Sequence, residues 1–299
     1  MNIIGKKYTF LTFSAILVVL SLAAIAQWGL KLGIDFTGGS LLEVSFATEA
    51  PSIDAIQNAL RPLALDTIVV QPVGDQDIII RMKHIDEETH QKILRALSSL
   101  APAGSVTELR FDTIGPTIGQ ELRSRSILAI VLASAMIIIY IAWAFRSVSK
   151  PVSSWKYGVV AVLALVHDVT IPPGVFAILG RFYGVEVDAL FITALLTVMG
   201  FSVHDTIVVF DRIRENLRKL KKPEPYEETV NRSVNETIVR SINTSCTVLL
   251  VLCAIFFLGG ETTRYFSLVL ILGIIFGTYS SIFVASPLLV VWHKLTGKR

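Results

Sequence analysis

Residues 189–210 read ALFITALLTVMGFSVHDTIVVF, an apolar run interrupted chiefly by Ser202, His204 and Asp205. An α-helix rises 1.5 Å per residue, so about 20 such residues cross roughly 30 Å of hydrocarbon. The run therefore predicts a membrane-spanning helix with a histidine and a carboxylate inside it. Ionisable side chains at that depth are costly and need a reason to be there. Asp205 falls about 8–9 Å from a boundary at Asp211, inside the hydrocarbon but off its centre.

Working outward, the same test finds spans at 8–28, 124–145, 157–179, 188–211, 240–258 and 265–291. The composition agrees: 53% of residues are hydrophobic and 17% charged, with a mean hydropathy of +0.63, against about 25% charged for soluble domains. Lys6 and Lys7 before the first span and Ala24-Ile25-Ala26 within it imitate a secretory signal, but the apolar run exceeds a signal core, so a retained helix is expected. Lys6, Lys7, Arg146, Lys150, Lys156, seven basic residues between Arg212 and Arg232, and Lys294, Lys298 and Arg299 share one side; the short opposite loops hold only Arg181 and Arg264. By the positive-inside rule both termini are cytoplasmic. The net charge of +3 takes its meaning from this asymmetry. The basic segment 212–239 reads as an amphipathic, partly helical loop that either meets anionic lipid or only enforces topology.

The segment 30–122 has a different texture, with charges scattered among alternating apolar residues. Ser40–Phe46 predicts a strand. Ser52 caps a helix through Ile53, Ile56, Ala59 and Leu60. Thr67–Val70 and Asp77–Met82 follow as strands flanking a turn at Gly74-Asp75. Asp86 caps a second helix with Ile93, Leu94 and Leu97 inward, and Val106–Phe111 closes the set. The order β-α-β-β-α-β is the ferredoxin-like arrangement. The expected fold is thus a polytopic α-helical membrane protein with one inserted α+β domain outside the membrane. Its parts are 1–29 (N-terminus and first span), 30–122 (α+β domain), 123–292 (five spans) and 293–299 (cytoplasmic tail).

Several chemistries are excluded. Cys246 and Cys253 sit seven apart on one helical face of one span, so they form no disulfide with each other and no metal-ligand spacing. No phosphate-cradling Gly-Lys-Ser/Thr loop, Gly-x-Ser-x-Gly elbow or His-Glu-x-x-His is present. No enzyme activity, metal or cofactor is expected.

The polar residues within spans leave alternatives open. Burial disfavours a charged Asp205 and a nearby cation favours it; the carboxyl either exchanges a proton or only hydrogen-bonds a neighbouring helix. His167-Asp168, ahead of Pro172-Pro173-Gly174, either serves a proton path or satisfies carbonyls that a proline kink frees. Arg240 either snorkels to the surface or is counter-ion to Asp205. The stretch Arg240–Thr247 is too polar to face lipid and must face protein or water. Gly273-x-x-x-Gly277, with Thr278, Ser280 and Ser281 after it, gives a small-residue packing face.

These residues resemble the SecD/SecF family of bacterial protein export, and within it SecF, the smaller membrane subunit. Gly33-Ile34-Asp35-Phe36-Thr37-Gly38-Gly39 is similar to the family's Asp-Phe-x-Gly-Gly signature. Ile114-Gly115-Pro116-Thr117-Ile118-Gly119, Val166–Val169, Gly200–Asn216, Asn231–Thr247 and Gly273–Ser281 continue the likeness over nearly the whole chain. His204 departs from it, where the family more often has Asn. The resemblance implies a six-helix half of an RND-type (resistance–nodulation–division) core in the bacterial inner membrane, completed by SecD. It further implies association with the SecYEG channel, with YajC and YidC, with SecA indirectly, with unfolded preprotein and with membrane lipid, but not with nucleic acid. Protons are the implied coupling ion. Asp205 and Arg240 carry the implied coupling, with His204 as a second titratable group and His167 and Asp168 without a defined role. Asp35, Phe36, Gly38, Gly39, Gly115, Pro116, Gly200, Gly273 and Gly277 are implied structural positions. The expected mechanism has protonation of Asp205 weakening its attraction to Arg240 and so shifting helix packing. A proton-driven exporter half for lipids or small molecules, and a passive scaffold, are the competing functions.

Overall fold

The computed structural model describes residues 1–65, 68–102, 104–144, 154–220, 222 and 224–296. Helix α1 spans Lys7–Trp28 and is followed by a short helix α2, Ile34–Thr37. Then come β1 (Gly39–Phe46), α3 (Ile53–Leu60), β2 (Val69–Val73), β3 (Asp77–Met82), α4 (Glu87–Ser98) and β4 (Val106–Ile114). The long helices α5 (Pro116–Ala144), α6 (Ser154–Tyr183), α7 (Ala189–Lys219) and α8 (Tyr226–Leu258) follow. The chain ends in α9 (Glu261–Ser280), a π turn at Ser281–Ala285 and α10 (Ser286–Thr296). Among the described residues, six helical stretches are long and apolar enough to cross a membrane. Two compact units result, Leu32–Ile127 and the remainder.

In the smaller unit the sheet order is β2-β3-β1-β4, antiparallel throughout, the layout of a split βαβ pair. Leu42, Val44, Phe46, Ile78 and Ile80 bury one sheet face against Ile56 and Leu60 of α3 and Ile93 and Leu97 of α4; Leu94 is half-buried. The expected caps form: Ser52 Oγ accepts from Ala55 N at 3.3 Å, and Asp86 Oδ1 from Thr89 N at 3.0 Å. Strand β2 lies later than the expected 67–70 and contains Pro72. It is an edge strand, where a missing N–H is tolerated; Thr67 lies outside the described residues. Strand β4 runs past Phe111 to Ile114 because Gly39 pairs with Ile114.

The Gly38-Gly39 pair has a steric explanation. Their φ values are +72° and +131°, and a Cβ on Gly38 would meet Pro116 Cα at 2.7 Å, one on Gly39 the Met82 carbonyl oxygen at 2.7 Å. Phe36 is buried and Asp35 half-buried in α2.

In the larger unit, Lys7 pairs with Glu227 at 2.5 Å, and Lys294 pairs with the same carboxylate, tying the starts of α1 and α8 to the end of α10. Asn231 and Asn235 hold the chain start, accepting from Ile3 N and the Met1 ammonium at 2.9 and 3.0 Å. The expected loop at 212–239 is instead mostly helix, since α7 continues to Lys219 and α8 begins at Tyr226. Side-chain pairing accounts for the extension. Arg212 reaches Glu215 at 2.6 Å along its own helix and Glu236 at 2.7 Å across it, while Asn216 donates to Ser233 and Glu236. Arg146, Lys150, Lys221, Lys298 and Arg299, used to assign sides, lie outside the described residues. Helix α6 runs on through Pro172 and Pro173.

Candidate functional site

Two carboxylates from adjacent helices are buried in the bundle. Asp205 of α7 is 9% exposed. Ser241 Oγ of α8 donates to its Oδ1 at 2.7 Å, and Ser281 Oγ, from the π turn, donates to its Oδ2. Asp168 of α6 is 0% exposed. It bonds His167 Nδ1 at 2.8 Å, Ser202 Oγ of α7 at 2.5 Å and Ser280 Oγ of α9 at 2.6 Å. The helical repeat explains the convergence: Ser202 precedes Asp205 by three residues on the inner face of α7. The consecutive residues Ser280 and Ser281 each take one carboxylate.

Glycines on α9 make the space. A Cβ on Gly273 would fall 2.0 Å from Val198 of α7, and one on Gly277 would fall 3.3 Å from Ser202 and 3.8 Å from Asp168 Oδ2. The small-residue face therefore seats a carboxylate as well as a helix. His167 bonds Asp168, and Asp168 bonds two serines as well; neither side chain serves the proline-released carbonyls. His167 Nε2 and Thr206 Oγ1 are buried without a hydrogen-bond partner. Among the described residues, no lysine or arginine forms an ion pair with Asp168 or Asp205.

The expected Asp205–Arg240 pair does not form. Arg240 is exposed, and Ser241 holds the inward position on α8. Neighbours on a helix point about 100° apart, so only one of the two can face Asp205. His204 is exposed for the same reason. Arg240 lines a groove with Val208, Asp211, Arg212 and Glu215 of α7 and Glu236 of α8. Stepping back along α7 by three or four residues from that groove gives His204, Gly200, Thr197 and Thr193, all exposed; stepping forward on α8 gives Asn243, Thr244 and Thr247, also exposed. The polar half of the fifth span is thus divided. Ser241 and Ser245 are buried within this chain, and the rest forms an outer polar stripe that lipid would not solvate. At Gly200 and Gly115 an added Cβ would meet open space, so this chain gives no packing reason for either glycine.

The sequence reading missed Ser202, Ser241, Ser280 and Ser281 as ligands of the carboxylates. Each was visible as a polar residue within a span, but serine bonds its own helix as readily as a neighbour, so only tertiary placement identifies the partner.

Residues 94–295 match the family described as protein export membrane protein SecD/SecF, C-terminal, and residues 24–50 match the SecD/SecF GG motif. The chain is 45% identical to the protein translocase subunit SecF of Thermobaculum terrenum, covering 98% of this chain and 94% of that protein. It is 43% identical to the SecF of Anaerolinea thermophila, again covering 98% and 94%, and 36% identical to that of Pseudomonas aeruginosa, covering 99% and 92%. The crystal structure of SecDF, a translocon-associated membrane protein from Thermus thermophilus, superposes with a TM-score of 0.83 at 33% identity. That match covers 98% of this chain and 39% of the longer SecDF chain. In its paired-glycine turn, its six apolar helices with an inserted antiparallel sheet, and its full-length likeness to named SecF subunits, the chain belongs to the SecD/SecF family of protein-export membrane proteins.

Proposed function

We propose that the chain is the SecF-type accessory subunit of the bacterial Sec protein-export machinery, working with a SecD half and driven by protons exchanged at Asp205. The observation that carries this reading is a membrane-depth carboxylate held, among the described residues, by hydroxyls alone. Without a fixed cation, a charged carboxylate in low dielectric is costly, and gain of a proton changes which groups donate and which accept around it. Those groups sit on α7, α8 and the π turn, so helix fit follows the charge. Coupling through loss of an Asp205–Arg240 pair is replaced by coupling through the serines.

The polar stripe of α7 and α8 supports a SecD half as its cover, with Arg240 and His204 facing that partner. The basic-residue asymmetry supports an inner-membrane topology with both termini cytoplasmic and the sheet unit outside, positioned to act on emerging preprotein. No hydrolytic chemistry of its own is assigned. One proton crossing 100 mV carries about 2.3 kcal/mol, a bias of roughly fifty-fold on a two-state equilibrium, enough to rectify polypeptide motion.

The test is Asp205→Asn in vesicles containing both subunits, with proton-dependent export and proton flux as readouts. Loss of both is expected. Export at the unmodified protein's level would sink the proposal in favour of a passive scaffold.

A further inference from the structure

Ser280 Oγ lies 2.6 Å from Asp168 Oδ2 and 3.1 Å from the Gly277 carbonyl oxygen. Ser281 Oγ bonds Asp205 Oδ2 and lies 3.0 Å from the Thr278 carbonyl oxygen. Each hydroxyl therefore has two acceptors, one on another helix and one on its own, but only one proton to donate. While a carboxylate is charged, the hydroxyl serves it. When the carboxylate binds a proton, its new O–H donates to the serine oxygen, and the serine hydroxyl turns to its backbone carbonyl. One proton is added and no covalent bond in the serine changes. The doublet enters the π turn Ser281–Ala285, where Ser286 Oγ donates to the Ser281 carbonyl at 3.1 Å; such turns are adaptable and recur at functional sites.

We propose that Ser280 and Ser281 are positioning residues that couple the protonation of Asp168 to that of Asp205, making the two carboxylates one proton-holding unit. The inference rests on the reading of Asp205 as a proton-exchanging group. Among the described residues, the ionisable side chains around the doublet are Asp168 with His167 from α6, Asp205 from α7, and Tyr279 of α9, whose ring stacks on His167 at 6.3 Å. Helix α8 presents Ser241 to Asp205 and Ser245 to Thr278, and α1 presents Ser14 to Tyr279. Arg240 and His204 face outward.

The experiment is an infrared titration of the protonated-carboxyl bands in the full chain reconstituted with a SecD half, with Asp168→Asn and Asp205→Asn assigning the bands. Coupled groups titrate as a pair. Asp205→Asn is expected to move the Asp168 midpoint by about one pH unit, a tenfold change in proton affinity. Ser280→Ala with Ser281→Ala is expected to abolish that displacement, and the paired threonine variants, which keep the hydroxyls, to retain it. If the alanine variant does not fold, the displacement and its retention by threonine still support the coupling. An Asp168 midpoint indifferent to Asp205→Asn, or a displacement that survives loss of both hydroxyls, overturns it. Because the titration needs no export, loss of export without displacement defeats this inference alone. Normal export in Asp205→Asn with displacement present defeats the export reading alone.

Discussion

Ser241 shows how much one hydroxyl controls. It donates to Asp205 Oδ1, and a hydrogen bond to a charged group is worth about 1.5–3 kcal/mol. On the proposed proton coupling, Ser241→Ala should displace the pH profile of export by about one to two units while leaving the amount of folded protein unchanged; an unmoved profile would remove Ser241 from the site. The neighbouring Arg240 looked equally qualified by residue type and depth. A single helical step of about 100° makes one the ligand and the other a surface residue, and that phase is fixed by the contacts of the whole helix.

At the scale of elements, α9 lies close against α7. A Cβ on Gly273 would lie 2.0 Å from Val198, and overpacking of this kind costs about 1–3 kcal/mol. Gly273→Val should lower the melting temperature of the detergent-solubilised protein and reduce export; an unchanged melting temperature would show that α9 can shift freely. In the sheet unit, the Thr89 hydroxyl and N–H hold the Asp86 carboxyl below the ordinary aspartate range. A depressed value means the cap contributes fully above the ordinary aspartate pKa and is lost as pH falls through the folded value. Glu87 is lowered likewise by Gln91 and His90. Amides of α4 should therefore exchange with solvent faster, after correction for intrinsic rates, at about pH 3 than at about pH 6. Asp86→Asn should shrink the difference, with Glu87 supplying the remainder.

For the whole molecule, the polar stripe on α7 and α8 predicts a protein cover. A cysteine fits at Gly200, where nothing lies within 4 Å, once the native thiols Cys246 and Cys253 are replaced by serine. In the chain alone, Gly200→Cys should react with a membrane-permeant thiol reagent. Co-assembly with a SecD half should slow that reaction at least tenfold. Equal rates would place the partner elsewhere.

The sequence alone determined the six spans, because about 20 apolar residues in a row admit little besides a spanning helix. It also determined the βαββαβ order, through period-two strands, capped amphipathic helices and turn residues, and it placed Asp205 and Asp168 inside the apolar runs. Tertiary structure decided which polar residues meet. Helix phase, the pairing of Arg212 on α7 with Glu236 on α8, and the close approach permitted at Gly273 and Gly277 depend on side chains far apart in the chain. A serine looks the same in sequence whether it bonds its own helix or a buried carboxylate, so only the packed bundle distinguishes Ser280 and Ser281 from ordinary small residues.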